Sequence, residues 1–156
     1  MEATTGEFTV ETSLGSIKIR TKNNSLVSLS FSPATADLNP PPPPPQFRDL
    51  AKRLQQYCRG EKTGFQNIPV DLDSATEFRK KVWEATRSIP CGETRSYQWV
   101  AQQIRKPKAA RAVGQALGKN PLPIIIPCHR VIAADGSIGG YNGGVEMKRR
   151  LLNLES

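Results

Sequence analysis

The chain has 156 residues, 37% of them hydrophobic, with a formal net charge of +8, which suits one compact unit or a small core domain with a smaller partner. Cys58, Cys91 and Cys128 show no close Cys-x-x-Cys spacing and the only histidine is His129, which argues against a disulfide scaffold and a structural zinc site. The opening Met1 to Thr9 is polar and acidic, unlike a signal peptide, and the longest apolar run, about six residues, is too short to span a bilayer. Phe8 to Ile19 reads as a hairpin: Phe8-Thr-Val-Glu-Thr, a turn at Gly15, then Ile17-Lys-Ile-Arg. A third strand is predicted at Leu26 to Phe31. Asn39 and the six prolines Pro40 to Pro45 exclude helix and central strand, so they form a polyproline II surface connector or a recognition segment. Phe47, Leu50, Leu54 and Tyr57 have helical spacing. Asp73-Ser-Ala-Thr-Glu77 supplies capping residues ahead of a helix carrying Phe78, Val82, Trp83 and Ala85, which stops near Ile89-Pro-Cys-Gly92. The first half therefore reads as a small sheet with one or two helices in a supporting role.

From Gly92 the pattern changes. Residues 1–91 carry 12 basic and 10 acidic side chains, and residues 92–156 carry 10 basic and 4 acidic, so the basic end suits a polyanion. Ser96 to Ile104 forms a short helix with Val100, Ala101 and Ile104 inward, and Ala109 to Leu117 forms a second, ending at Gly118-Lys-Asn120. Two short helices joined by a tight turn match a helix-turn-helix. Arg105, Lys106 and Lys108 in that turn can meet phosphates. The small face Ala109, Ala112, Gly114 and Ala116 serves either close backbone approach to a duplex or tight helix packing.

The chemistry centres on Pro127-Cys128-His129-Arg130, which follows the branched run Ile124-Ile-Ile126. A cysteine is reactive as a thiolate, and an imidazole is one of the few groups able to take its proton near neutral pH. Adjacent side chains in a strand face opposite ways, so the pair needs a backbone turn, which Pro127 favours. A third group must orient the ring. Glu155, at the end of the helix-like Glu146 to Leu154, is the candidate, unless it is a frayed terminal residue. Asp135 to Gly144 holds five glycines around Tyr141, a loop able to wrap a planar ligand with backbone donors.

Asn120-Pro-x-Pro-x-x-x-Pro-Cys-His-Arg-Val-Ile132, Gly139-x-Tyr-x-Gly-Gly144, Lys148, Leu151-Leu152 and Glu155 resemble the O6-alkylguanine-DNA alkyltransferases. Upstream, Phe78, Val82-Trp83, Ile89-Pro-x-Gly-Glu-Thr-x-Ser-Tyr97 and Pro107-x-Ala-Ala-Arg-Ala-Val-Gly114 agree. The match is dense over residues 74–155 and loose over 1–73. The resemblance implies an α+β protein: a ribonuclease H-like antiparallel sheet with a helix in residues 1–73, and a mostly helical DNA-binding and alkyltransferase domain in residues 74–156. Cys128 is then the alkyl acceptor, His129 its base through a water, Glu155 the holder of His129, and Asn120 the brace of the turn. Tyr97 donates to N3 of the departing guanine. Carbonyls of Cys128 and Val131 accept from its amine. Pro123, Gly139, Tyr141, Asn142 and Gly143 line the pocket, and Arg111 fills the gap left by the flipped nucleotide. Thr94, Ser96, Ala109, Ala110, Ala112, Gly114, Arg105, Lys106, Lys108 and Arg130 complete the DNA contacts. The implied reaction moves an alkyl group from O6 of guanine, or O4 of thymine, to Cys128 once per molecule.

The implied partner is double-stranded DNA containing O6-alkylguanine. The protein is expected to be a cytoplasmic monomer without membrane association, nucleoid-associated when bound to DNA; a thiol that must stay reduced agrees with that compartment. Some relatives bind zinc through N-terminal Cys and His. Here only Cys58 precedes residue 90 and no histidine does, so neither metal nor cofactor is expected. Asn142 stands where several members carry serine. The competing readings are a damage sensor that binds without transfer, which the presence of Cys128 opposes, a Cys-His acyl hydrolase, which leaves the basic helices idle, and a DNA-binding protein with a merely structural cysteine.

Overall fold

Alternating apolar side chains build the first sheet. In the computed structural model, which describes residues 4–32, 42–137 and 144–156, β1 (Thr5–Thr12), β2 (Gly15–Lys22) and β3 (Ser25–Ser32) lie antiparallel in that order. Phe8 pairs with Ile19, Val10 with Ile17, and Ile19 in turn with Leu29, so these five side chains share one face and are buried. On the opposite face Glu7 bridges Lys18 and Arg20 at 3.2 and 3.1 Å. Asn23 and Asn24, with φ of 51° and 68°, make the tight β2–β3 turn, a left-handed pair that asparagine tolerates.

A 3-10 turn at Pro45–Phe47 leads into α1 (Arg48–Cys58), which buries Leu50, Ala51, Leu54, Tyr57 and Cys58 and packs on β1. Phe47 stacks on Phe8 with ring centroids 5.4 Å apart. The chain then returns along β3, where Leu26 N–H donates to Pro69 O and Asp71 N–H donates to Leu26 O. These elements belong to one compact unit, residues 1–71; residues 72–156 form a second.

In the second unit α2 (Glu77–Arg87) starts at Thr76, whose hydroxyl accepts from Arg79 N–H. It buries Val82, Trp83 and Thr86, and Trp83 Nε1 donates to Ala116 O at 2.9 Å, tying α2 to α4. α3 (Tyr97–Gln103) is capped by Ser96, and α4 (Ala110–Gly118) follows after a turn in which Arg105 adopts φ of 61°. Gln98 Nε2 donates to Pro107 O across that turn. Val100, Ala101, Val113, Ala116 and Leu117 close the three-helix core, while Ile104, expected on the inward stripe, is the half-buried C-cap of α3. β4 (Arg95–Ser96) pairs in parallel with β5 (Val131–Ile132), and α5 (Val145–Glu155) ends the chain. The molecule is thus the expected mixture of a small antiparallel three-stranded sheet and several helices. Among the described residues no helix is long and apolar enough to cross a membrane. The expectations for Pro40, Gly139, Tyr141, Asn142 and Gly143 lie outside the described residues.

Candidate active site

The thiol sits at the end of a heavily constrained turn. Asn120, 2% exposed, donates through Nδ2 to Ile126 O at 2.8 Å and accepts Leu122 N–H at Oδ1 at 2.9 Å. Ile126 N–H donates to Leu122 O at 2.8 Å. Between them Ile124 takes φ of 75°, a left-handed conformation that costs a β-branched residue about 1–3 kcal/mol. Burial of Leu122, Ile124, Ile125 and Ile126 offsets that strain. Pro127, at φ −78° and ψ 64°, then forms an inverse γ-turn in which Cys128 N–H donates to Ile126 O. Cys128–Arg130 continues as a 3-10 turn. The backbone turn that the Cys-His pair requires is therefore present, and the opposed arrangement of an extended strand does not arise.

Behind the thiol lies a buried ionic cluster. His129 is fully buried, and its Nε2 lies 2.6 Å from Glu155 Oε2. The side chain of Glu155 is 2% exposed, so this residue is anchored although it is next to last in the chain. Arg130 donates from Nε and Nη2 to the two Glu155 oxygens at 2.9 and 3.0 Å and from Nη1 to Ile89 O at 2.6 Å. Gly92 N–H reaches Glu155 Oε1 at 3.4 Å. Burial pushes the His129 imidazole below its usual range, and the Glu155 hydrogen bond and charge only partly oppose this, so the ring is neutral at neutral pH.

Lys148 is the residue that sequence reasoning left without a role. It is 1% exposed, donates from Nζ to Val131 O at 2.8 Å, and stands 6.0 Å from the Tyr97 ring centroid. Burial lowers it to about 8, opposed by the negative charge of the Cys128 thiolate. Tyr97, first residue of α3, is raised by burial and by that same charge. Lysine, tyrosine and cysteine thus share one electrostatic environment. In the sequence Lys148 stood among the residues of the family resemblance, with no role attached to it.

The DNA-contact set divides by exposure. Thr94, Arg105, Lys106, Lys108 and Arg111 are exposed, and Ala109, Ala110, Ala112 and Gly114 are half-buried. Ser96 is half-buried, and its hydroxyl accepts from Trp99 N–H at 3.0 Å as the α3 cap. Gly114 faces Tyr97: a Cβ there would lie 3.8 Å from the ring. Arg130 corrects the expectation that it contacts DNA, because it is 8% exposed and its guanidinium is held by Glu155 and Ile89. Pro123 and Val131 are buried. The Val131 carbonyl accepts from Lys148 and the Cys128 carbonyl from Val131 N–H. Among the described residues no group of three or more His, Cys, Asp or Glu side chains is placed to hold a metal ion.

The family model for the DNA-binding domain of 6-O-methylguanine DNA methyltransferase matches residues 77–156. A methylated-DNA–protein-cysteine methyltransferase of Mycobacterium tuberculosis is 42% identical over 150 residues, covering 94% of this chain and 90% of that protein. Its namesake in Methanosarcina barkeri is 40% identical over 153 residues, 94% of each chain. The crystal structure of Mycobacterium tuberculosis OGT in complex with DNA superposes with a TM-score of 0.81 at 43% identity, covering 94% of this chain and 90% of that one.

Proposed function

This chain belongs to the methylated-DNA–protein-cysteine methyltransferase family, and from that premise we propose that it repairs alkylated DNA by taking the alkyl group of O6-alkylguanine, or of O4-alkylthymine, onto its own Cys128. The observation that carries the reading is the buried Glu155–His129 bond of 2.6 Å at the residue beside the thiol. Glu155 fixes Nε2 of the ring, so proton exchange with Cys128 falls to Nδ1 through a bridging water. The Lys148 ammonium favours the thiolate that forms.

The chemistry balances without a cofactor. The thiol proton passes to His129, and the thiolate attacks the alkyl carbon in line. A C–S bond forms as the C–O bond breaks, and the electron pair stays on the guanine. Tyr97 donates a proton at N3 as this charge grows and recovers one from the imidazolium side, so guanine leaves neutral. The product is a thioether, which water does not cleave and His129 cannot restore, so each molecule reacts once.

A base stacked in a duplex hides O6 from a buried thiol, so the nucleotide must be extruded. The exposed Arg111 on α4 is suited to fill the vacated stack, and the small side chains Ala109, Ala110 and Ala112 suit a shallow minor groove. Arg105, Lys106 and Lys108 supply phosphate contacts. In this reading the protein acts as a monomer in the cytoplasm, where its thiols stay reduced.

Intact-protein mass spectrometry after incubation with duplex DNA containing O6-methylguanine tests this. The expected result is a gain of one methyl mass, mapped to Cys128 and saturating at one per chain. Tight binding without mass gain would replace transfer by damage sensing.

A further inference from the structure

Arg95 lies outside every role assigned above. It precedes Ser96, the cap of α3, and its side chain, 31% exposed, is held on three sides. Its Cζ stands 5.5 Å from the Trp99 ring centroid, Nη1 donates to Thr94 O at 2.9 Å, and Nη2 lies 2.8 Å from Glu93 Oε1. A guanidinium stacked on indole keeps its charge while losing its rotational freedom. Glu93 is half-exposed at 50%, and such a surface ion pair contributes little to stability. The arrangement is therefore a pre-aimed cation whose present counterion is easily displaced.

Its placement names the anion. The register Arg95↔Val131 sets Arg95 beside the strand that leaves the Cys128–Arg130 turn, so its Cα lies within about 15 Å of that of Cys128. Any nucleotide whose base reaches Cys128 brings its flanking phosphates with it. The basic turn Arg105 to Lys108 lies beyond the other end of α3, a helix about 10 Å long. Two cationic points flanking that helix, in a segment carrying 10 basic and 4 acidic side chains, complement a regularly charged strand better than a single carboxylate.

Resting on the DNA-repair reading, we infer that Arg95 is a phosphate clamp for the DNA backbone, pre-oriented by Trp99, with Glu93 occupying the phosphate position until DNA displaces it. A backbone phosphodiester offers the guanidinium two non-bridging oxygens for a bidentate pair, where Glu93 meets it through Oε1.

The test is binding to an unmodified duplex, which leaves Cys128 unreacted, across a salt series. Arg95→Ala should lower the slope of log K against log salt by about one. Arg95→Lys should keep the slope. Trp99→Ala should keep it too, while weakening binding about two- to fivefold through lost pre-orientation. Glu93→Gln should tighten binding, a result that no folding defect imitates. Unchanged slope in Arg95→Ala, or unchanged affinity in Glu93→Gln, would overturn the clamp while leaving DNA binding intact. A wild-type chain that binds no duplex at low salt would overturn the DNA-repair reading, and the clamp with it.

Discussion

Each unit of this protein buries a cysteine, and the two thiols have opposite surroundings. Cys58, 2% exposed, ends α1 among apolar side chains. Burial pushes its thiol upward, and the hydrogen bond with Thr12 only partly counters this. Cys128, 5% exposed, is nearly as buried, yet it adjoins His129 and shares its field with Lys148 and Tyr97. Burial alone disfavours the thiolate, whereas a neighbouring base and ammonium favour it. The first unit hides apolar side chains behind an ion-paired surface. The second hides His129, Arg130, Lys148 and Glu155, and thereby accepts a desolvation cost that the first avoids.

The comparison breaks most sharply at the sulfurs. Cys128→Ala should abolish methyl uptake from O6-methylguanine DNA in intact-mass measurements, whereas Cys58→Ala should transfer at the wild-type rate. Methyl uptake by the Cys128 variant would remove the distinction altogether.

Next in size is Glu155→Ala. It strands Arg130 and His129 in a buried site, where loss of one partner costs about 3–5 kcal/mol. The urea midpoint should fall accordingly, with transfer slowed as the ring loses its orientation. An unchanged midpoint would mean the cluster is not closed in solution.

The pH dependence of stability separates the two units with opposite signs. Lys148 keeps its proton up to 10.5 when unfolded and to about 8 when folded, so its penalty is full below about 8 and is relieved as pH rises toward 10.5. Lys148→Met should remove that alkaline gain. Cys58 ionises from 9.0 upward when unfolded and later when folded, so its contribution is lost as pH rises above 9.0. Cys58→Ala should remove that loss. On the acid side, His129 takes a proton more readily when unfolded, so stability should fall as pH drops below 6.5. Urea titrations from pH 5 to 10 on the wild type and both variants read all three effects.

The smallest expected effect lies in the second unit but away from its ionic cluster. Gly114→Ala adds a methyl at ordinary contact distance from Tyr97, 3.8 Å, and should stabilise α4 by about 0.5–1 kcal/mol, seen as a modest rise in Tm. Lost DNA affinity in that variant would place Gly114 at the groove instead of at the helix packing.

The periodic parts of this protein were legible because they depend on neighbours in sequence. Alternation at Phe8, Val10, Ile17 and Ile19 set the sheet and its buried face. Thr76 and Ser96 set the helix starts through local hydrogen bonds. Within the site, Cys128 and His129 were visible as adjacent letters and Glu155 as the available carboxylate.

What only the tertiary structure decided depends on long-range contact. Arg130, the last residue of the Pro-Cys-His-Arg motif, was implied as a DNA contact, but residues 25 and 41 positions away capture its guanidinium. Lys148 stood in the resemblance without a role until packing placed its ammonium between the Val131 carbonyl and the Tyr97 ring. The left-handed turn at Ile124 contradicts the local preference of a β-branched residue and is imposed by Asn120 and the surrounding core. Sequence pattern reports where a side chain stands along its own element. Whether a charge faces water or another charge is settled by what folds against it, and in this protein that choice gives two buried thiols opposite electrostatic surroundings.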